Sequence, residues 1–160
     1  MRKLIVCNIM SLDGYYTGFK SFWPAVADDP DAPPTLREIS RLNNAIDKVV
    51  ISDSLTPEET EPWRSTRIIS RADARGQFEQ LKRQSGNDIL VFGSHRTWNG
   101  LLGNDLVDEL HLMVGAVLLG EGTPIFEGKP AVSLRPIDTR RWDDSDNMLV
   151  RYKVRLTRSK

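Results

Sequence analysis

Apolar residues along this chain fall into short blocks, and the spacing within each block separates strands from helices. Lys3 to Ile9 reads KLIVCNI, rich in β-branched residues and without alternation of charge. A run of that kind is the pattern of a strand buried on both faces, as in a parallel sheet covered by helices. It stops at Ser11-Leu12-Asp13-Gly14, a turn signal at the strand's carboxyl end. The proline- and aspartate-rich stretch from Pro24 to Pro34 reads as a loop. Behind it, Thr35 and Glu38 have the spacing of a capping box, and Leu36, Ile39, Leu42 and Ile46 recur on one helical face. Lys48 to Ser52 is a second short buried strand, and Arg67 to Ile69 a weaker third. A helix follows from Ala72 to Ser85, entered through Ser70 and Asp73 and stopped by Gly86, with Ala74, Phe78 and Leu81 as its apolar stripe.

Asp88 to Phe92 is the next strand, Gly93-Ser94 a turn, and His95 to Leu102 a helix closed by Gly103. Leu106 to Leu119 opens as a turn and continues as a long strand. Strands and helices therefore alternate over the first two-thirds, which predicts a parallel sheet with right-handed crossovers. The last third differs. Val132 to Trp142 and Met148 to Leu156 flank a polar turn, and Val150, Tyr152, Val154 and Leu156 alternate with Leu149, Arg151, Lys153 and Arg155. That period predicts an antiparallel hairpin with one wet face at a sheet edge. No repeat or linker interrupts the 160 residues, so they read as a single domain.

Composition narrows the function classes. Lys plus Arg and Asp plus Glu number 22 each, so the net formal charge is zero. No global field recruits nucleic acid or an anionic membrane, and no apolar run is long enough to span a bilayer. The single cysteine, Cys7, excludes a disulfide framework and predicts a reducing, cytoplasmic setting. His95 and His111 are the only histidines and stand apart from any second ligand, so no metal site is expected. There is no GxSxG nucleophile elbow for hydrolysis. Four scattered tryptophans read as packing residues rather than a base-stacking platform.

In an open α/β sheet, ligands gather at the carboxyl ends of the parallel strands. The sharpest such end is Gly93-Ser94-His95-Arg96-Thr97, where a buried strand hands over to a helix. A glycine there lets a ligand approach the backbone, the free N–H groups and helix dipole favour an anion, and Arg96 adds charge. The alternative is a plain strand-to-helix turn with Ser94 as N-cap. Gly120 and Gly122 make a second glycine-rich exit, suited to a ring lying on the backbone or to a bulged turn. Asp13 with Gly14 either meets a polar substrate group or closes an Asx turn.

The runs SLDGY, KVVIS, DILVFGS, LVDELHLMV and VLLGEGTPIFEG, in that order, resemble the reductase domain of riboflavin biosynthesis within the dihydrofolate-reductase-like superfamily. The resemblance covers Met1 to Tyr16 and Phe22 to Arg155. It implies a three-layer α/β fold: a mostly parallel central sheet, helices on both faces and a C-terminal antiparallel hairpin. It implies an NADPH-dependent (or NADH-dependent) reductase that passes hydride to a flat, pterin-like or pyrimidine-like substrate, working as a homodimer. Carried over by position, Gly93, Ser94, His95, Arg96 and Thr97 hold the cofactor phosphates. Ser52 and Asp53 lie near the adenosine ribose, Gly120 and Gly122 border the nicotinamide, and Asp13 and Gly14 line the substrate side. The rival reading is a catalytically silent ligand-binding or structural domain that keeps the fold.

Two departures from the family pattern stand out. A strand-helix unit ending in a G-R-x-T-[YF] run is absent after residue 18. Asp53 occupies a position where many relatives carry a basic residue. Its carboxylate would repel a ribose 2′-phosphate by about 1 kcal/mol in water at contact distance, which favours NAD over NADP.

Overall fold

The computed structural model describes residues 1–16, 24–61, 63 and 65–157 of the chain. Residues 17–23, where the resemblance locates the junction left by the absent unit, lie outside the described residues. The chain falls into two compact units, Met1–Gly18 with Phe78–Lys160, and Phe19–Gln77.

The first unit is built on one mixed sheet. β1 (Leu4–Ser11) lies between β6 (Glu109–Gly115), parallel to it, and two strands that share its other edge. β5 (Ile89–Phe92) runs parallel along Leu4 to Cys7, and β2 (Tyr15–Tyr16) turns back antiparallel at Met10. β7 (Thr123–Pro124) adds antiparallel to β2. Beyond β6 come β9 (Ser145–Leu156) and β8 (Val132–Trp142), each antiparallel to its neighbour. The expectation of a mostly parallel sheet is therefore corrected: four of the six pairings in this sheet are antiparallel. Continuous apolar runs such as those of β1 and β6 mark strands without reporting the direction of the neighbouring strand; in both, buried residues alternate with partly exposed ones. The short turns after β1 and β8 permit only antiparallel return.

Cross-strand register explains the core. Val6 pairs with Leu110 and Asn8 with Leu112, so alternate residues of both strands share one face. Leu4, Val6, Leu110 and Leu112 on that face are buried, together with Trp98, Leu101 and Leu102 of α4 (His95–Gly103). Full burial of each such side chain stabilises by roughly 1.5–3 kcal/mol. Val150, Tyr152 and Val154 of β9 continue the same face, and Val154 is buried. β8 shifts register between Pro136 and Asp138, where proline has no N–H to give the ladder.

In the second unit, β3 (Lys48–Ile51) and β4 (Thr66–Ile69) form their own two-stranded parallel sheet. A 3-10 turn, Pro24–Asp28, occupies part of the stretch expected to be loop. α1 (Pro34–Ala45) forms without the expected capping box: Pro33 is the N-cap, and no side chain caps the helix. Pro34 in the first turn needs no partner for an N–H it lacks, so the cap is dispensable. The stripe assigned to the core is largely open, with Leu36, Leu42 and Ile46 about half exposed. α2 (Pro57–Thr60) was not anticipated, although it carries a complete capping box between Thr56 and Glu59. α3 (Ala74–Arg83) starts two residues later and ends two earlier than its apolar stripe suggested.

Candidate functional site

The geometry of the site begins at the turn after β1. Gly14 donates its N–H to Ser11 O at 3.0 Å with φ +85°, and Ser11 Oγ accepts the N–H of Tyr15 at 3.0 Å. The chain is thereby returned as β2, which sets Tyr16 beside the end of β5. An ideal Cβ on Gly93 would lie 3.5 Å from Tyr16 Oη, an ordinary contact, so space alone does not demand glycine there. Backbone conformation does: Gly93 has φ +68°.

Ser94 is also left-handed, at φ 50° and ψ 56°, and α4 follows directly. A left-handed residue followed by a right-handed one turns successive N–H groups toward a common point, a concavity suited to anions. Ser94 O accepts from Thr97 N at 2.9 Å and Trp98 N at 3.2 Å. The N–H groups of Ser94, His95 and Arg96 have no acceptor among the described residues. The N–H of Thr97, expected to join the anion site, is spent inside the turn instead. Ser94 makes no side-chain capping bond, so the plain N-cap reading of its hydroxyl is not what the turn uses.

Beneath this turn lies Asn8, only 2% exposed. Its Nδ2 donates to Gly93 O at 3.4 Å, while its Oδ1 is buried with no partner. Buried polar atoms are seldom left this way, and a bound group or a water is the usual reason. The signal was visible as an amide interrupting the apolar run of β1, but its distance in sequence from Gly93 concealed the connection.

The side chain of His95 is engaged apart from its backbone N–H. Its Nε2 lies 2.8 Å from Pro124 O and its Nδ1 3.3 Å from Glu127 Oε1. The ring stacks on Tyr16 (centroids 5.5 Å, 26°) and meets the edge of Trp98, which in turn meets Phe126. Asn99 adds a second tie, donating to Ile125 O at 3.2 Å and accepting from Glu127 N at 3.0 Å. The start of α4 is thus fastened to residues 124–127. Between them opens a pocket of about 690 Å³ walled by Tyr16, His95, Arg96, Thr123, Phe126 and Glu127. Sequence reading missed Tyr16, Asn99, Phe126 and Glu127, because pairing of β2 with β7 brings them together.

Asp13 is exposed, yet its carboxylate is engaged. It accepts the N–H groups of Leu119 (3.1 Å) and Gly120 (2.8 Å). Hydrogen bonds from the Ser11 hydroxyl, then from Gly120 N–H, hold its carboxyl below the ordinary aspartate range. Gly120 (φ +77°) and Gly122 (φ +141°) both need left-handed backbone, and an ideal Cβ on Gly122 would lie 3.6 Å from the Tyr15 ring. These two glycines shape the loop before β7 rather than lining the pocket.

Ser52 and Asp53 belong to the second unit, at the carboxyl end of β3. Ser52 Oγ accepts the N–H groups of Ser54 (3.3 Å) and Leu55 (3.0 Å). Asp53 accepts Arg71 N–H at 2.8 Å and pairs with Arg71 Nε at 3.2 Å. Its charge therefore has a cation beside it, which the sequence argument from Asp53 alone did not include. Cys7 is unreactive in this setting, since burial pushes its thiol up to about 11. Among the described residues no group of three His, Cys, Asp or Glu is placed to hold a metal, and no helix is long and apolar enough to cross a membrane.

Known proteins share the fold. The family model of the RibD C-terminal domain matches residues 19–150. The uncharacterized protein YyaP of Bacillus subtilis (strain 168) is 27% identical over 132 residues, covering 81% of this chain and 68% of that protein. A solved protein of Shewanella sp. PV-4 assigned to riboflavin biosynthesis superposes with a TM-score of 0.62 at 20% identity, over 96% of this chain and 99% of its own. The riboflavin biosynthesis reductase Rib7 of Saccharomyces cerevisiae superposes with a TM-score of 0.57 at 16% identity, over 96% of this chain and 89% of its own.

Proposed function

Because the chain belongs to the RibD C-terminal domain family, we propose that it is a reductase of a flat, pyrimidine-like heterocycle, with a nicotinamide dinucleotide (NADPH or NADH) as hydride source. The single observation that carries this reading is the Gly93–Arg96 turn. Its residues fit a diphosphate: three backbone N–H groups without acceptors among the described residues, a helix dipole behind them, and the exposed Arg96 guanidinium alongside. Asn8 Nδ2 donates to Gly93 O from beneath and so braces the turn.

When bound, the dinucleotide would supply the hydride; the chain supplies position. Tyr16 and Phe126 give the pocket the flat apolar surfaces on which a heterocycle packs, and Arg96 and Glu127 give it polar groups that fix orientation. His95, its Nε2 facing Pro124 O and its Nδ1 facing the Glu127 carboxylate, holds the wall in place. The proton that accompanies the hydride falls to water in the open pocket. Within the second unit, Arg71 beside Asp53 offsets the charge of that carboxylate.

Titration with NADPH and with NADH, followed by tryptophan fluorescence, tests the reading. Trp98 is fully buried, one ring away from the pocket through His95 and Phe126, and should report binding. Saturable binding of either is expected; no response to either at millimolar concentration overturns the proposal.

A further inference from the structure

Residues 116–122, between β6 and β7, form a strap with little to bury. Val117, Leu118 and Leu119 are 49%, 71% and 41% exposed, so apolar contact contributes little to holding the strap down. Polar contacts hold it instead. Leu12 N–H donates to Val117 O at 2.9 Å, and the Asp13 carboxylate takes the successive N–H groups of Leu119 and Gly120. Left-handed Gly120 lets those two N–H groups converge, as in a backbone anion site, and here the anion is a side chain of the same protein. Bonds to an ionised acceptor are roughly twice as strong as neutral ones, so the carboxylate is the principal fastening.

Both segments that meet at Asp13 lead straight into the pocket. On one side the turn continues to Tyr16, which stacks on His95. On the other the strap continues to Thr123 and to Pro124, whose carbonyl faces His95. Tyr16 and Thr123 are themselves register partners of β2 and β7, and Ile125 N–H returns to Gly14 O at 2.8 Å.

We propose that Asp13 is a positioning residue: its carboxylate latches the strap to the turn after β1 and so holds the two walls of the pocket, Tyr16 and Thr123-Pro124, at a working separation. Its consequence for ligand binding rests on the dinucleotide reading above; the latch itself does not. Asp13 thereby loses the direct substrate contact that its place in the SLDG run implied and acts through the wall.

Amide hydrogen exchange on the full chain, with Asp13→Ala and Asp13→Asn beside wild type, tests it. Exchange at Leu119, Gly120, Tyr16 and Thr123 should quicken about tenfold in Asp13→Ala. Asp13→Asn, which keeps one acceptor oxygen, should fall between. Amides of β1 and β6 and the melting temperature should not move, whereas a merely structural role would shift both. Dinucleotide dissociation constants should rise about tenfold in Asp13→Ala. Unchanged exchange at Tyr16 and Thr123 overturns the proposal. So does unchanged dinucleotide affinity once the strap is loosened, which leaves the reductase reading standing. If wild type binds no dinucleotide, that reading falls, and the exchange at the two walls still decides the latch.

Discussion

The ammonium of Lys82 lies 2.6 Å from Asp108 Oδ2, and the same oxygen accepts the N–H of Leu4 at 2.7 Å. Lys82 also donates to Leu106 O at 2.8 Å and is only 7% exposed. One buried cation thus joins α3 to the starts of β1 and β6, at the end of the sheet away from the pocket. Replacing it by an apolar side chain of similar length leaves Asp108 and Leu106 O without their partner. Lys82→Met should lower stability by about 3 kcal/mol, an upper bound because Asp108 is partly solvated. Chemical denaturation measures this, and a change below experimental error would show that the pair contributes nothing net.

Asn8 separates ligand binding from stability. Its Oδ1 is an unsatisfied acceptor in the core, and its one bond, to Gly93 O, is long at 3.4 Å. Asn8→Leu removes an unsatisfied acceptor, a gain, and strips Gly93 O of a donor, a loss kept small by the length of that bond. Asn8→Leu should therefore keep or raise the melting temperature while weakening dinucleotide binding several-fold. Loss of stability with intact binding would assign the amide a purely structural role.

Gly93 is required for its backbone. Alanine there meets only Tyr16 Oη at 3.5 Å, but it must adopt φ +68°. The left-handed conformation costs an L-residue about 1–2 kcal/mol. Gly93→Ala should lower stability by about that amount and disturb the turn that presents Ser94, His95 and Arg96 N–H. Binding titrations should then show weakened affinity for inorganic pyrophosphate as well as for dinucleotide; unchanged affinity for both would remove the turn from the anion site.

Acid should release a separate set of contacts. Glu109 is held below its ordinary value first by the Lys3 hydrogen bond and further by His111, and Lys3 is correspondingly raised. A depressed carboxylate contributes stability above its unfolded pKa, near pH 4, and loses it as the pH falls through the lower folded value. Melting curves of wild type and Glu109→Gln should differ at neutral pH and converge in acid. Lys3 has the opposite sense: its share of the pairing persists through neutral pH and is lost only as alkali passes its raised value. A gap between wild type and variant that widens in acid would contradict the pairing.

Much of the architecture was legible in the chain. The blocks KLIVCNI, KVVI, ILVF and ELHLMVG are strands as their apolar, β-branched residues predict, and Gly86 and Gly93, both at positive φ, fall beside the ends of a helix and a strand as their backbone freedom requires. Strand direction was not legible, because a short apolar run reads the same whichever way its neighbour runs. The capping box at Thr35 failed because Pro33 and Pro34 impose their own helix start. The stripe of α1 was legible as a period and misleading as burial, since period says which residues share a face and not whether anything covers it.

The same division holds for the site. By itself the sequence determined the turn: Gly93 and Ser94 between an apolar strand and a helix leave N–H groups at a helix start, a local consequence of backbone geometry. It also determined that Asp13-Gly14 would reverse the chain after β1. Only the tertiary structure decided what these turns meet. Pairing of β2 with β7 sets Tyr16, His95, Pro124 and Glu127 around one pocket, the loop before β7 brings Leu119 and Gly120 N–H to Asp13, and pairing of β1 with β5 puts Asn8 under Gly93. Each of those relations joins segments far apart in the chain, and such contacts depend on which strands lie side by side, a choice made by the burial of the whole sheet and not by any local run of residues.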